Sequence, residues 1–253
     1  MRLRQVAFVA EKLEPVVDAL GTVFGLRVAY RDPAVAVYGL VNAVMPVGGE
    51  FLEVVQPVRD DASALRYLRR RGGDAGYMLI FQAPDALAQR ARLAAAGVRL
   101  IAEVQRPEYS FTHFHPGDFN GVLTSIDTEG GGTGWLSNDR PWPPAGRDWK
   151  AASAPADVLG ILGATVQTKA PEKAAAHWAE MFQARQDGAR IVTDRGFVEF
   201  VPPRDADGTG VVGLEIAVRD SSAPLARARA AGLPVAGDAV TICGVSLTVR
   251  ESA

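Results

Sequence analysis

The feature that most constrains the fold is an internal repeat, because residues 163–182 align with residues 5–24 without a gap. In both copies a short apolar run, QVAFVA or GATVQT, precedes a segment with apolar residues at helical spacing. Further along, FVEFVPP repeats FLEVVQP and places Glu199 on Glu53. A sequence period of this kind outranks local propensity, so the chain is interpreted as an array of similar units.

Four units are predicted, each with the order strand, helix and three strands. They lie at residues 1–57, 75–127, 157–203 and 211–250. In the first unit, LRVAYRD and AVAVYGLVNAVMPV both have the β-leaning composition of strands. The basic run RYLRRRGGD is expected to be the solvated end of a helix, where cations face the last carbonyl groups.

The segment between the two pairs of units, residues 128–156, is rich in glycine and proline and predicts an irregular connector. It also contains Trp135, Trp142 and Trp149, three of the four tryptophans. Such a large aromatic area favours a connector that is strapped onto a domain surface. The alternative, that one tryptophan reaches a ligand pocket, stays open.

Composition excludes several classes of function. With 27 basic and 29 acidic residues and a net charge of −2, the chain offers no polybasic surface for nucleic acid. One cysteine, Cys243, excludes an intrachain disulfide and a thiolate metal cage. The N-terminal residues do not resemble a signal peptide, and no apolar run reaches the length of a membrane span. We therefore expect a cytoplasmic protein that acts on small molecules, without nucleic-acid or membrane partners.

The paired units and four motifs resemble the vicinal oxygen chelate superfamily. The motifs are QVAFVAEKLEP, EFLEVVQP, LRRRGGDAGYMLIF and FHPGDFNGVLTSID, and the last is most similar to the methylmalonyl-CoA-epimerase-like members. The resemblance implies an α+β protein whose four βαβββ units form two glyoxalase-like, half-open β-barrel domains. It places these domains at residues 1–127 and 157–253, joined by the connector 128–156. Because the superfamily includes glyoxalases, epimerases, extradiol dioxygenases and resistance proteins, the fold does not fix the reaction.

The resemblance also implies a divalent metal held by four strand positions of the first domain. Carried over residue by residue, these positions are Gln5, Glu53, Met78 and Ser125. Gln5 and Glu53 offer oxygen donors to a hard cation, whereas Met78 is a soft thioether and Ser125 a weak ligand. We therefore expect no resident cofactor, or at most a weakly held divalent metal on Gln5 and Glu53. The matching positions of the second domain (Gly163, Glu199, Gly213 and Thr248) predict a metal-free domain.

Two of the three histidines, His113 and His115, are one residue apart and point to the same face of a strand. A neutral imidazole at a cavity mouth suits proton transfer, so His115 is a candidate catalytic residue. The alternatives are that His115 orients a loop and that His113 lies in water at a strand edge. The candidate substrate-binding residues are Gln5, Met78, His113, Ser125 and Asp127.

Glu53 is the second candidate catalytic residue, because an inward-facing carboxylate amid apolar neighbours must be paired, ligating or reactive. The leading hypothesis is an isomerase, epimerase or lyase that moves a proton beside a carbonyl, with Glu53 or His115 as the acid or base. A metal-free protein that binds or sequesters a small molecule is the alternative. An extradiol dioxygenase is the least supported, since no histidine occupies a ligand position. Exposed first strands would also favour a homodimer.

Overall fold

The computed structural model describes residues 1–130 and 132–252. It contains two open β-sheets, of seven and eight strands, with five α-helices among the described residues. This confirms the predicted α+β class with two glyoxalase-like sheets, neither of which closes into a barrel.

The seven-stranded sheet is built from the first two βαβββ repeats. Its elements are β1 (Arg2–Val9), α1 (Leu13–Phe24), β2 (Leu40–Val47), β3 (Glu50–Pro57), α2 (Ser63–Arg71), β4 (Ala75–Gln82), α3 (Ala86–Ala95), β5 (Leu100–Gln105), β6 (Tyr109–Phe114) and β7 (Leu123–Glu129). The strand order is β2-β3-β1-β4-β7-β6-β5. Strand β1 is therefore an interior strand with all of its residues buried, and the exposed first strand on which the homodimer prediction rested does not exist.

The eight-stranded sheet is built from the last two units. Its elements are β8 (Val158–Gln167), α4 (Pro171–Phe182), β9 (Arg185–Asp187), β10 (Arg190–Val192), β11 (Phe197–Val201), β12 (Gly210–Val218), α5 (Ser222–Ala230), β13 (Val235–Ala236), β14 (Ala239–Ile242) and β15 (Val245–Glu251). The strand order is β13-β14-β15-β12-β8-β11-β10-β9. The first and second βαβββ repeats thus share one sheet, and the third and fourth repeats share the other.

The helices begin and end where the sequence signals predict. Helix α1 buries Leu13, Val16 and Leu20, which recur at helical spacing, and it ends at Gly25 in the left-handed conformation with φ 67°. Helix α2 has three arginines in its last turn and ends at Gly72 with φ 77°, as expected for the basic run.

One predicted strand is absent from the first unit. In LRVAYRD only Tyr30 forms a β-bridge, to Val44, and the chain then turns into a 3-10 helix at Pro33–Tyr38. The Asp32 side chain caps this helix by accepting a hydrogen bond from the Ala34 amide at 2.9 Å. A capping aspartate followed by proline at the first helical position favours a turn over the apolar composition that follows.

The chain divides into two compact units, each made of three segments. The first contains Met1–Val6, Tyr77–Pro143 and Gly163–Val211, and its core gathers aromatic rings around Trp178. The second contains Ala7–Gly76, Pro144–Leu162 and the described residues from Val212 onward, and in it α1 packs against α5 and β14. The domain bounds 1–127 and 157–253 stay a prediction.

The connector is packed rather than free. Trp142 in the first compact unit is fully buried, and Trp149 in the second is almost so, in edge-to-face contact with Phe51 at 5.1 Å. Trp135 is only partly buried. The expected strapping of the connector is thus confirmed for two of its three tryptophans. Among the described residues, no helix is both long and apolar enough to cross a membrane.

Candidate functional site

Strand β7 brings together several of the predicted site residues in the first compact unit. Ser125 and Asp127 lie two residues apart and share a face of the sheet. The antiparallel register with β6 places His113 opposite Ser125. The parallel register with β4 places Gln82 beside Asp127. Polar side chains from three neighbouring strands therefore converge along β7.

Asp127 is the centre of this arrangement and is only 1% exposed. Its carboxylate accepts hydrogen bonds from the hydroxyl groups of Tyr109 and Ser125. The Ser125 hydroxyl also lies 3.2 Å from the Thr112 carbonyl oxygen. A carboxylate can be buried only when such donors replace water, so the two hydroxyls hold Asp127 in place.

Gln5, a predicted metal ligand, is held by the connector. Its side-chain oxygen accepts a hydrogen bond from the indole Nε1–H of Trp142 at 2.6 Å, and both residues are buried. The Trp142 ring also contacts the ring of Tyr109 edge to face, with centroids 6.1 Å apart. The guanidinium of Arg4 lies 5.4 Å from the centroid of the same indole. We call Gln5, Tyr109, Ser125, Asp127 and Trp142 the Asp127 cluster.

A second polar group flanks the cluster at the end of β7. The Arg140 guanidinium donates to both carboxylate oxygens of Glu129, at 2.8 and 3.3 Å, and this hydrogen bonding raises the pKa of Arg140. Gln82 donates to Glu129 through Nε2 at 3.3 Å. The oxygen Oε1 of Gln82 is buried and has no hydrogen-bond partner among the described residues.

His113 and Met78 lie in the same compact unit with apolar surroundings. The His113 ring stacks on Phe111 with centroids 4.5 Å apart, and desolvation lowers its pKa to about 4. His113 is therefore neutral at physiological pH and offers a hydrogen bond rather than a charge. Met78 is buried on β4 beside Leu123. Both residues stay predictions as substrate-binding groups.

His115 lies at a turn beyond the end of β6. Its Nδ1 accepts a hydrogen bond from the Gly117 amide at 3.0 Å and so caps a short 3-10 helix, Pro116–Asp118. Asp118 pairs with Arg99 at 2.6 Å, and this bond lowers the pKa of Asp118. These contacts fit the alternative in which His115 orients a loop. A cavity of about 450 Å³ next to this turn is lined by Gly117, Asp118, Asn120, Lys173 and His177, among others.

Glu53 belongs to the second compact unit, where it is 8% exposed on β3. Asn42 on the neighbouring strand β2 donates to its Oε1 at 2.6 Å. The Asn42 side-chain oxygen in turn accepts from the Asp32 backbone amide at 2.7 Å. Glu53 thus belongs to a hydrogen-bonded chain that reaches the turn at Asp32, and its catalytic role stays a prediction.

The donor set does not fit the divalent metal that the resemblance implies. The oxygen of Gln5 is used by the Trp142 indole, the Ser125 hydroxyl donates to Asp127, and Met78 supplies only a soft thioether. Over residues 1–130 and 132–252, no three histidine, cysteine, aspartate or glutamate side chains gather closely enough to hold a metal ion. The chemistry of the cluster is therefore derived without a metal.

A second cavity, of about 470 Å³, lies between the start of α3 and the turn that joins β5 to β6. It is lined by Pro84, Asp85, Ala86, Leu87, Gln105, Arg106, Pro107, Tyr109, Ser110, Thr128 and Gly130. Tyr109 belongs to both the cavity wall and the cluster, since its hydroxyl donates to Asp127. Ser110 and Thr128 of its wall lie on the face of the sheet opposite to the side chains of Tyr109 and Asp127.

Sequence reasoning missed three members of this arrangement: Tyr109, Arg140 and Arg4. The alternation of Tyr109, Phe111 and His113 along β6 could have revealed Tyr109, because these residues share the face of the predicted histidine. Trp142 was anticipated only as the open alternative of a connector tryptophan that reaches a pocket. No local signal links Arg4 or Gln5 to a residue more than 130 positions away.

Comparison with known proteins gives one family match. A sequence model described as a glyoxalase-like domain matches residues 6–182. Among curated proteins, none matches the chain.

Similar solved structures align with about half of the chain. A methylmalonyl-CoA epimerase of Streptomyces coelicolor in complex with 2-nitronate-propionyl-CoA is 22% identical, with a TM-score of 0.47, and the alignment covers 51% of this chain and 97% of that one. The methylmalonyl-CoA epimerase from Mycobacterium tuberculosis is 20% identical, with a TM-score of 0.46 and coverage of 51% and 87%. A hypothetical protein from Bacillus halodurans C-125 is 14% identical, with a TM-score of 0.45 and coverage of 51% and 94%.

Proposed function

The chain belongs to the glyoxalase-like domain family, and from that premise we propose that it is a small-molecule enzyme of the isomerase, epimerase or lyase kind. The reaction proposed is proton transfer beside a carbonyl group. The observation that carries this proposal is the buried carboxylate of Asp127, which accepts a hydrogen bond from the hydroxyl of the partly buried Tyr109. A buried carboxylate with a specific hydrogen-bonded partner is a candidate acid–base group.

The proposed step uses Tyr109 as a relay and Asp127 as the final base. As a proton leaves the substrate carbon for the Tyr109 oxygen, the Tyr109 hydroxyl proton passes to Asp127. The electron pair that remains on the substrate becomes an enolate. Return of both protons, to the same carbon or to a neighbouring one, completes exchange or isomerisation. The Ser125 hydroxyl orients Asp127 and stabilises its charged form.

The cavity wall also suggests the class of substrate. Arg106 lines the cavity and is exposed, so its guanidinium is available to an anionic or carbonyl oxygen. The hydroxyl groups of Ser110 and Thr128, also in the wall, donate to the backbone carbonyl oxygens of Arg106 and Ala83. We therefore propose a carbonyl compound that carries an acidic group, such as a hydroxy or oxo acid or a thioester.

The two catalytic residues predicted from sequence remain rival proposals for the same reaction. Glu53 would act through its carboxylate, which accepts from Asn42. His115 would act through its ring nitrogen Nε2, because its Nδ1 accepts from the Gly117 amide. Each is compatible with proton transfer, but each already serves a local hydrogen bond. Variants of these residues are therefore the natural comparison for variants of Asp127.

A metal-free binding protein is the second candidate function. It is favoured by the hydrogen bond from Trp142 to Gln5 and the contact of the Trp142 ring with Tyr109. These contacts make a buried site lined by aromatic and polar side chains rather than an open reaction centre. Sites that bind by burial with a few placed polar groups have this composition. In this case a ligand would raise the melting temperature without being converted.

The proposed function is tested by solvent exchange. Chelator-treated wild-type protein in D2O is incubated with oxo acids, hydroxy acids, acyl-CoA thioesters and glutathione adducts, and loss of the α-proton signal is followed by NMR. The proposal predicts exchange with at least one class, together with its loss in the Tyr109→Phe variant. A thermal shift without exchange across all four classes would favour the binding protein instead.

A further inference from the structure

The cavity of about 450 Å³ in the first compact unit lies between the end of α3, the turn at residues 116–120 and helix α4. Its volume is within the range of pockets that hold small molecules. It shares no lining residue with the cavity at Arg106, and none of its lining residues belongs to the Asp127 cluster. We call it the α4 cavity.

Part of the α4 cavity is apolar. Val98, Ala174 and Met181 line it and are buried, and we call these three side chains the apolar wall. Burial against such a wall stabilises the apolar body of a ligand but does not orient it. In ligand pockets the orientation is fixed by a few placed polar groups, so the polar side chains of the cavity decide what it can bind.

Four polar side chains line the α4 cavity, and two of them are engaged by the protein itself. The Arg99 guanidinium donates to both carboxylate oxygens of Asp118, at 2.6 and 3.1 Å. Asn120 accepts from the Trp178 indole at 2.9 Å and donates to the Thr168 hydroxyl at 3.3 Å. These bonds hold the turn in place and engage both ends of the Asn120 amide.

The other two polar side chains are those of Lys173 and His177, which lie one helical turn apart on α4. Side chains at positions i and i+4 share a helix face, with Cβ atoms about 5–6 Å apart, so one small molecule can contact both. Lys173 is exposed, and its ammonium pairs with no carboxylate among the described residues. Because Asp118 already has Arg99 as its counter-ion, Lys173 is available to an anionic ligand group.

The hydrogen bond of His177 determines which ring nitrogen carries the proton. Its Nε2 lies 2.8 Å from the backbone carbonyl oxygen of Asp118. A carbonyl oxygen can only accept, so Nε2 donates and Nδ1 of the neutral ring has the lone pair. The ring also contacts that of Phe119, with centroids 6.0 Å apart, which limits its rotation. No group within the described part of the chain donates to Nδ1, so it can accept from a ligand hydroxyl.

We propose that the α4 cavity binds a small hydroxy acid with an apolar body. The carboxylate of the ligand pairs with Lys173, and its hydroxyl donates to Nδ1 of His177. The body of the ligand packs on the apolar wall. This site is additional to the proposed function and does not rest on it, because no member of the Asp127 cluster takes part.

The first test compares three probes by isothermal titration calorimetry with the full chain. Mandelate is a hydroxy acid with a phenyl body, phenylacetate lacks the hydroxyl, and methyl mandelate lacks the charge. Wild type should bind mandelate at least about threefold more tightly than phenylacetate and about tenfold more tightly than methyl mandelate. Equal affinities for the three probes, or no binding of mandelate, would overturn the ligand class.

The second test removes the cation of the cavity with Lys173→Gln. This variant should lose about tenfold in affinity for mandelate and keep its affinity for methyl mandelate. The matched control is Lys169→Gln, because Lys169 is an exposed lysine in the same compact unit that does not line the cavity. Equal losses of mandelate affinity in the two variants would show that the lysine acts only through the general charge of the surface, and would overturn the site.

The third test removes the acceptor with His177→Phe, which keeps a ring beside Phe119. Mandelate should then bind this variant no more tightly than phenylacetate does, while the affinity for phenylacetate stays as in wild type. A role of His177 that was only structural would affect both acids alike and leave their ratio unchanged. A preference for mandelate that survives in the variant would therefore overturn the assignment of Nδ1.

Failure of this proposal can be told from failure of the proposed function. Mandelate binding that is lost in Lys173→Gln, without α-proton exchange in any substrate class, supports the α4 cavity and rejects the proposed proton transfer. Mandelate binding that is lost in Arg106→Gln and kept in Lys173→Gln would place the ligand in the other cavity and overturn the proposal made for this one.

Discussion

Asp127 and Glu53 are two buried strand carboxylates with different surroundings. Asp127, in the first compact unit, accepts hydrogen bonds from two hydroxyl groups, those of Tyr109 and Ser125. Glu53, in the second, receives the amide of Asn42, which also holds the Asp32 turn. The two carboxylates are therefore alike in burial and differ in the chemical type of their hydrogen-bond donors, which are hydroxyl groups for Asp127 and a side-chain amide for Glu53.

The repeat supports this distinction. Glu199 occupies the position of Glu53 in the third unit, and there it is partly exposed and pairs with Arg190 at 3.2 Å. The same glutamate thus serves a hydrogen-bonded turn in one copy and a surface ion pair in the other.

The largest expected effect concerns Trp142, the indole of the Asp127 cluster. Trp142→Ala removes a fully buried indole and should lower the free energy of unfolding by about 3–5 kcal/mol. Trp135→Ala is the matched control, because Trp135 is only partly buried in the same connector, and its loss should be clearly smaller. Urea unfolding followed by circular dichroism measures both. Equal losses of unfolding free energy would mean that the buried contacts of Trp142 contribute no more than those of Trp135.

The next effect separates Glu53 from its repeat. Glu53→Ala leaves the buried Asn42 amide without its acceptor and should cost about 1–3 kcal/mol of stability. Glu199→Ala breaks a partly exposed ion pair and should cost about 1 kcal/mol or less. Urea unfolding of the two variants side by side checks this, and a larger loss for Glu199→Ala would reverse the comparison.

The smallest effect is a pH dependence from His113. Its folded pKa of about 4 lies below the ordinary 6.5, so between these values the unfolded chain binds more protons than the folded one. Stability should therefore fall as the pH falls from 6.5 toward 4. His113→Phe, which keeps a ring beside Phe111, should flatten that part of the curve. Melting temperatures at steps of half a pH unit measure it, and identical slopes in the two proteins would contradict the assignment.

Much of the fold followed from the sequence because its signals are local and repeated. The period of the repeat, the glycines at the ends of α1 and α2 and the strand motifs each depend on a few neighbouring residues. The match of the glyoxalase-like domain over residues 6–182 confirms the vicinal oxygen chelate resemblance drawn from those motifs.

The site was harder to predict because its contacts are long-range. The hydrogen bond from Trp142 to Gln5 joins residues separated by 137 positions, and no spacing rule connects them. His115 was judged by its residue type, whereas its place at the start of a 3-10 helix makes it a cap. The Asp32–Pro33 turn shows the same limit on a smaller scale, since one cap outweighed a β-leaning composition.

The central claim is that Asp127, rather than Glu53, moves the proton. The most direct measurement is the rate of α-proton exchange in D2O for wild type, Asp127→Asn and Glu53→Gln, with folding verified by circular dichroism. The account predicts that Asp127→Asn lowers the rate at least about 100-fold while Glu53→Gln stays within a few-fold of wild type. A folded Asp127→Asn protein that exchanges at the wild-type rate, with exchange lost in Glu53→Gln, would contradict it.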